Sequence, residues 1–190
     1  GWEEILWAYA RQFNITKLKY VVNGGATGQE SIYNGLMEIR KHHSDDDVVL
    51  VHDGNRPMVG QDVITDSLVK YAQYGSAVAA IPCTEVVFVS DTGTESRKTI
   101  PREELWRTQT PHTYKIGELC WAHEEAKKRG LTGMAASCSL MAALGKTVYF
   151  SKGSEKNLKI TTVEDIDIFK ALLSAKRDEG IKTEGTDGIH

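Results

Sequence analysis

Asp47-Val48-Val49-Leu50-Val51-His52-Asp53-Gly54-Asn55-Arg56-Pro57 sets an unbroken aliphatic run directly before a carboxylate and then a guanidinium. A continuous apolar run of this length is expected as a strand covered on both faces, and such strands belong to parallel α/β sheets. In open α/β sheets ligands bind beyond the carboxyl ends of the strands, which is where Asp53 and Arg56 fall. A carboxylate there can hold Mg²⁺ through oxygen, and an arginine can grip phosphate in a fork. The same residues also make an ordinary strand-ending turn, with Asp53 accepting backbone N–H groups and pairing with Arg56.

Outward from this run, helical and strand periodicities alternate. Trp2, Ile5, Leu6, Tyr9 and Phe13 recur at helical spacing, and Leu18, Tyr20 and Val22 alternate as in a half-buried strand. Thr27-x-x-Glu30 is a capping box opening a helix through Ile32, Leu36 and Ile39. The spacing then predicts a helix over 62–74 closed by Gly75 and a buried strand over 76–81. Two short strands, 85–90 and 99–100, flank a polar turn and predict a projecting hairpin. Helices follow over 116–129 and 134–144, stopped by Gly130 and Gly145. Strands over 147–151 and 158–161 come next, and Thr162-Val-Glu-Asp165 caps a last helix through Leu172. The polar tail from Lys182 is expected to fray. Helices alternating with buried strands imply crossover units. The expected fold is α/β and Rossmann-like, a mainly parallel twisted sheet with helices on both faces and a protruding β-arm.

Composition narrows the function. A chain of 190 residues, 41% hydrophobic and 26% charged, makes roughly one domain whose core needs no disulfide or metal staple. Lys+Arg 23 against Asp+Glu 26 leaves a net charge of −3, which argues against nonspecific binding to nucleic acid or anionic lipid. No apolar run reaches the ~18 residues of a membrane helix. Cys83, Cys120 and Cys138 are scattered and odd in number, so they are expected as buried free thiols suited to a reducing cytoplasm.

Three further stretches can carry chemistry. In Asn23-Gly24-Gly25-Ala26-Thr27-Gly28-Gln29-Glu30-Ser31, glycines permit close backbone approach, and the following helix start favours an anion or a polar nucleotide group. The spacing and lysine of a P-loop are missing, and a plain strand-to-helix turn is the simpler reading. Pro101-Arg102-Glu-Glu-Leu-Trp106-Arg-Thr-Gln-Thr110-Pro111 sets two arginines and several hydroxyls on a strand-like stretch that lines a pocket or faces solvent. In the last stretch, alternation puts Asn157, Lys159 and Thr161 on one strand face, with the lysine beside a helix start as a second phosphate contact. His42 and His43 are immediate neighbours and cannot face one ligand, while His112 and His123 are isolated and expected as core or surface residues. No Ser/His/Asp or Cys/His arrangement stands out.

Taken in order, four motifs resemble one family. They are the glycine pair with a later Ser31, His52-Asp53-x-x-Arg56-Pro57, Arg102…Leu105-Trp106…Gln109-Thr110-Pro111, and Asn157-x-Lys159-Ile-Thr161 before a Glu-Asp helix start. Over about Asn23 to Leu173 the chain is similar to the cytidylyltransferases that act on methylerythritol phosphate and ribitol phosphate. The resemblance implies a nucleotidyltransferase core in residues 1–84 and 103–178, and an arm in residues 85–102 that clasps a second subunit in a homodimer. Residues 179–190 are left as a flexible tail. It also implies CTP as substrate, Mg²⁺ as cofactor and a polyol phosphate as acceptor, in isoprenoid or teichoic-acid synthesis. An acceptor phosphate oxygen would attack the α-phosphorus and pyrophosphate would leave, with no protein nucleophile.

Carried over by position, Gly24, Gly25 and Ser31 touch cytosine and ribose, and Asp53 holds Mg²⁺. Arg56 contacts the acceptor, Arg102 reaches into the partner's site, Thr110 lines the acceptor pocket and Lys159 meets the phosphates; Asp53, Arg56 and Lys159 form the catalytic set. Departures from the family pattern are specific. Gly28 stands where an arginine is common, Glu85-Val86-Val87-Phe88 replaces Asp-Thr-x-Lys at the arm, and Thr132-Gly133 replaces a Thr-Asp pair. The Gly-rich triphosphate loop of the family has no counterpart upstream of Trp2, so the intact protein is expected to be longer. Two other readings stand beside this one. One is a noncatalytic relative that binds nucleotide or dimerises without turnover. The other is a phosphatase-like enzyme with Asp53 as nucleophile, disfavoured because Asn55 stands where a second aspartate belongs.

Overall fold

Helices and strands alternate from residue 28 to residue 82, and a run of strands and then two helices separate that stretch from a last strand and helix. The structure, a computed structural model, describes the backbone of residues 2–184 and the side chains of residues 2–175. In chain order it contains α1 (Trp2–Gln12), α2 (Gly28–Ile39), β1 (Val48–Val51), α3 (Gln61–Tyr74), β2 (Ala77–Pro82), β3 (Val87–Val89) and β4 (Lys98–Ile100). A 3₁₀ turn (Arg102–Glu104) then leads to β5 (Trp106–Lys115), α4 (Ile116–Lys128), α5 (Ser137–Ala143), β6 (Phe150–Lys152) and α6 (Val163–Glu184). No helix among the described residues is long and apolar enough to cross a membrane.

One sheet has the order β1-β5-β2-β6, and β3 with β4 forms a separate ribbon. β2 and β6 pair in parallel with Ala79 opposite Ser151, whereas β3 and β4 are antiparallel with Phe88 opposite Thr99. The large sheet is mixed, which corrects the expectation of a mainly parallel one. β5, which lies between β1 and β2, follows β2 through the arm and a 3₁₀ turn with no crossover helix, and a helical crossover is what usually returns a chain parallel to its predecessor.

The chain divides into two compact units, Gly1–Leu50 with Thr113–Val148 and Val51–His112 with Tyr149–His190. In the first, α2 packs on α4 and α4 on α5, around buried Leu36, Ile116, Leu119, Leu140 and Met141. Each such side chain contributes about 1.5–3 kcal/mol when fully buried. In the second, α3 packs on β2 and β6; the small residues Ala77, Ala79 and Ala80 in buried β2 let the helix approach closely.

Local signals explain the boundaries. Thr27 Oγ1 accepts the Glu30 N–H at 3.2 Å, which caps α2 as expected, while the Glu30 carboxylate reaches one residue past the cap and accepts the Ala26 N–H at 2.7 Å. α3 stops at Gly75, whose φ of +81° is readily adopted only by glycine. Other expectations fail. Residues 17–22 and 158–161 form no strand, because no neighbouring strand offers them a ladder among the described residues. Val48–Val51 is only part-covered rather than buried on both faces, since β1 lies at the sheet's edge. The helix predicted from 134 begins at Ser137, and α6 runs to Glu184; the rest of the expected tail, 185–190, lies outside the described residues.

The start of α6 carries a testable charge. Asp165 Oδ2 accepts N–H groups from Thr161 and Thr162, both at 2.8 Å, and the Thr161 hydroxyl at 2.9 Å. These bonds, the Thr161 backbone first among them, hold its carboxyl down at about 2 against an ordinary 3.8. With the folded value below the unfolded one, the stabilisation is whole above the unfolded value and fades as pH falls towards the folded one. Asp165→Asn is therefore expected to flatten the acid limb of thermal stability between about pH 4 and 2. Melting curves across that range check it, and an unchanged slope counts against the assignment.

Candidate active site

In the second unit, β1 hands the chain to the turn 52–57, which is tied to β5 rather than left as a free loop. The Asp53 N–H donates to Thr110 Oγ1 at 2.9 Å. Thr110 Oγ1 also lies 3.0 Å from His52 Nδ1, and His52 Nε2 lies 3.0 Å from the Arg56 carbonyl. The hydrogen-bond inventory assigns the protons. Thr110 accepts from Asp53 and donates to His52 Nδ1, so the ring proton sits on Nε2 and points at the Arg56 oxygen. The Arg56 N–H closes the turn on the Asp53 carbonyl at 3.0 Å.

This turn presents one carboxylate to two cations. Asp53 Oδ2 meets Arg56 Nε at 3.0 Å and Lys159 Nζ at 3.2 Å, while Oδ1 has no partner among the described residues. Burial pushes the Asp53 carboxyl up, but hydrogen bonds and charge from Arg56 and Lys159 outweigh it and leave the group below its usual 3.8. Asp53 is thus an anion throughout the neutral range. Arg56 is fixed from the other side as well, since its Nη1 donates to the Asn157 carbonyl at 2.7 Å; the side chain is 11% exposed.

The segment 154–160 brings Lys159 to this place without being a strand. Asn157 Nδ2 donates to the Thr110 carbonyl at 2.8 Å and approaches Gln109 Oε1 at 3.4 Å. Gln109 in turn exchanges bonds with Ser154, donating to its carbonyl at 2.9 Å and accepting its N–H at 3.1 Å. Asn55 and Ile160 also exchange two bonds, at 2.8 and 2.9 Å. Asn157 is buried and Lys159 exposed, so the two do not share a strand face as alternation predicted. Beside them His112 is 2% exposed, and burial pushes its imidazole down to about 4, against a hydrogen bond with the Gln109 backbone.

Of the residues singled out in the sequence, Asp53, Arg56, Lys159 and Thr110 converge. Arg102 does not join them: its guanidinium is exposed and pairs with Glu103 at 3.3 Å. Gly24, Gly25 and Ser31 lie in the first unit and form a self-bonded loop. There Ser31 Oγ accepts the Gly25 N–H at 3.0 Å and donates to the Thr27 carbonyl at 2.9 Å. A Cβ on Gly25 would fall 2.2 Å from Glu30 Cβ, so only glycine fits. Sequence reasoning missed His52 and Gln109, because their bonds are made to residues distant in the chain.

Comparison with known proteins identifies the family. The family model described as IspD, 2-C-methyl-D-erythritol 4-phosphate cytidylyltransferase, matches residues 7–175. The chain is 40% identical to a ribitol-5-phosphate cytidylyltransferase of Lacticaseibacillus paracasei, over 93% of this chain and 76% of that protein. It is 36% identical to a 2-C-methyl-D-erythritol 4-phosphate cytidylyltransferase of Shouchella clausii, over 88% of this chain and 71% of that protein. The crystal structure of the Francisella tularensis 2-C-methyl-D-erythritol 4-phosphate cytidylyltransferase superposes with a TM-score of 0.70 at 28% identity, covering 83% of this chain and 76% of that one. By sequence and by fold, then, the chain belongs to the IspD family and is a cytidylyltransferase.

Proposed function

We propose that the enzyme transfers CMP from CTP to a polyol phosphate of the ribitol 5-phosphate or 2-C-methyl-D-erythritol 4-phosphate class, releasing pyrophosphate. The observation that carries this reading is the single carboxylate of Asp53, neutralised on Oδ2 by Arg56 and Lys159 and open on Oδ1. An acceptor phosphate oxygen bonds to the α-phosphorus of CTP as the bond to the β-phosphate oxygen breaks. Such a step needs no protein nucleophile, only in-line positioning and neutralised charge.

Mg²⁺ fits this donor set. The ion is usually held by one or two carboxylates together with substrate phosphates and water, and Asp53 Oδ1 is the oxygen available for it. Among the described residues no group of three or more His, Cys, Asp or Glu makes a cage, in keeping with a cation that arrives on CTP. When bound, it would withdraw negative charge from the triphosphate.

The protein's own groups take distinct parts in this reading. Lys159, the more exposed cation, meets the phosphates, and Arg56, nearly buried, faces the acceptor from a fixed position. Thr110 lines the acceptor side; Gly24, Gly25 and Ser31 serve cytosine and ribose. Residues 1–84 and 103–178 form the transferase core. Residues 85–102 form the dimer arm, supported by Val86 and Phe88 standing 68% and 59% exposed, and Arg102 serves the partner's site. The test is pyrophosphate release from CTP and Mg²⁺ with each acceptor in turn, using UTP and ATP as controls. Turnover with CTP and at least one of the two acceptors is expected. Release with neither, or equal turnover with all three nucleotides, overturns the reading.

A further inference from the structure

We infer that Asn157 is a positioning residue for nucleotidyl transfer, its side chain fixing the segment that sets both cations on Asp53. The inference rests on reading Asp53, Arg56 and Lys159 as the transfer site. Asn157 is 0% exposed and belongs to no helix or strand, so no ladder of backbone bonds holds it in place. Its Nδ2 binds the Thr110 carbonyl at 2.8 Å, on the residue whose hydroxyl takes the Asp53 N–H. Its own carbonyl receives Arg56 Nη1 at 2.7 Å, and two residues further Lys159 reaches Asp53 Oδ2 at 3.2 Å. Arg56 and Lys159 therefore both depend on a segment that this one side chain helps to fix.

Energetics separate this role from packing. Asn157 Oδ1 is buried with no hydrogen-bond partner among the described residues. An unpaired buried acceptor is destabilising, and an apolar residue of similar size fills the same space without it. What an apolar side chain cannot supply is the donor to the Thr110 carbonyl, the bond that ties the middle of segment 154–160 to β5 beyond the Gln109–Ser154 pair at its start.

Asn157→Leu and Asn157→Ala test this, alone and combined with Lys159→Ala, with melting temperature and steady-state kinetics read together. A misplacement of about 1 Å at a reacting site costs up to ~10² in rate. Asn157→Leu is expected to lower kcat about thirtyfold, with the KM for CTP within about threefold and the melting temperature kept. In the Lys159→Ala background the same change is expected to cost several-fold less than in wild type, because one of the two cations it positions is already gone. Asn157→Ala gives the same coupling should the leucine variant fail to fold. An equal loss in both backgrounds, or a single variant within about threefold of wild type, overturns the inference. Wild-type kcat in Lys159→Ala alone would instead refute the underlying site assignment.

Discussion

Asp53→Asn is expected to lower CMP transfer at least a thousandfold, about 4 kcal/mol of transition-state stabilisation. The change is isosteric, and a side-chain oxygen still faces Arg56 Nε and Lys159 Nζ. What disappears is the charge. Two cations sharing one carboxylate oxygen become like charges without a counterion, and no anionic oxygen remains for a metal on the triphosphate. Because Arg56 and Lys159 hold the carboxyl below its usual 3.8, wild-type Asp53 stays ionised at neutral pH, and acid mimics the variant only below that value. Pyrophosphate release under saturating CTP and acceptor checks the prediction, and turnover within tenfold of wild type contradicts it.

The second large effect is on stability and lies at His112. Burial holds its folded-state value at about 4, against 6.5 for the free imidazole. The unfolded chain takes up this proton at higher pH than the folded one, so stability falls as pH drops through 6.5 and levels off below about 4. The difference of 6.5 − 4 = 2.5, at about 1.4 kcal/mol per pH unit, is worth on the order of 3 kcal/mol. His112→Phe removes that slope. Urea midpoints at pH 7.5 and 4.5 are expected to differ less in the variant than in wild type by this amount, while shared carboxylate titrations cancel in the comparison. Equal slopes would show that His112 takes up its proton alike in the folded and unfolded chain, which contradicts the assignment. His123, also depressed by burial, adds a slope of the same sign in both proteins.

How much was legible in the sequence depends on the range of the interactions. Thr27 with Glu30, Gly75 at φ +81° and the apolar run of β2 act within a few residues, and each element stands where its local chemistry put it. Ordered motifs also brought Asp53, Arg56 and Lys159 together, because a strand-end carboxylate attracts basic groups from whatever segment returns to that edge. β5 was harder to read. It buries Gln109, Thr110, His112 and Thr113 along one strand, so polar residues occupy positions where apolar periodicity is sought. That is why the mixed sheet was missed. Residues 158–161 alternate like a strand, yet Ile160 makes one backbone-to-backbone bond, to the Asn55 carbonyl, and its other bond is to the Asn55 side chain, so no ladder forms. The parts of His52 and Gln109 rest on Thr110 and Ser154, far away in sequence, and no local pattern announces such pairs.

Manganese resonance resolves the matter at the metal. With Mn²⁺ in place of Mg²⁺ and CTP present, the spectrum of free ion should collapse on adding wild-type protein, saturating at one equivalent. Asp53→Asn should weaken that binding at least tenfold, while Arg102→Ala leaves it intact. If Asp53→Asn takes up Mn²⁺ with CTP as tightly as wild type does, the cation is not held by Asp53 and the site described here is not where CTP reacts.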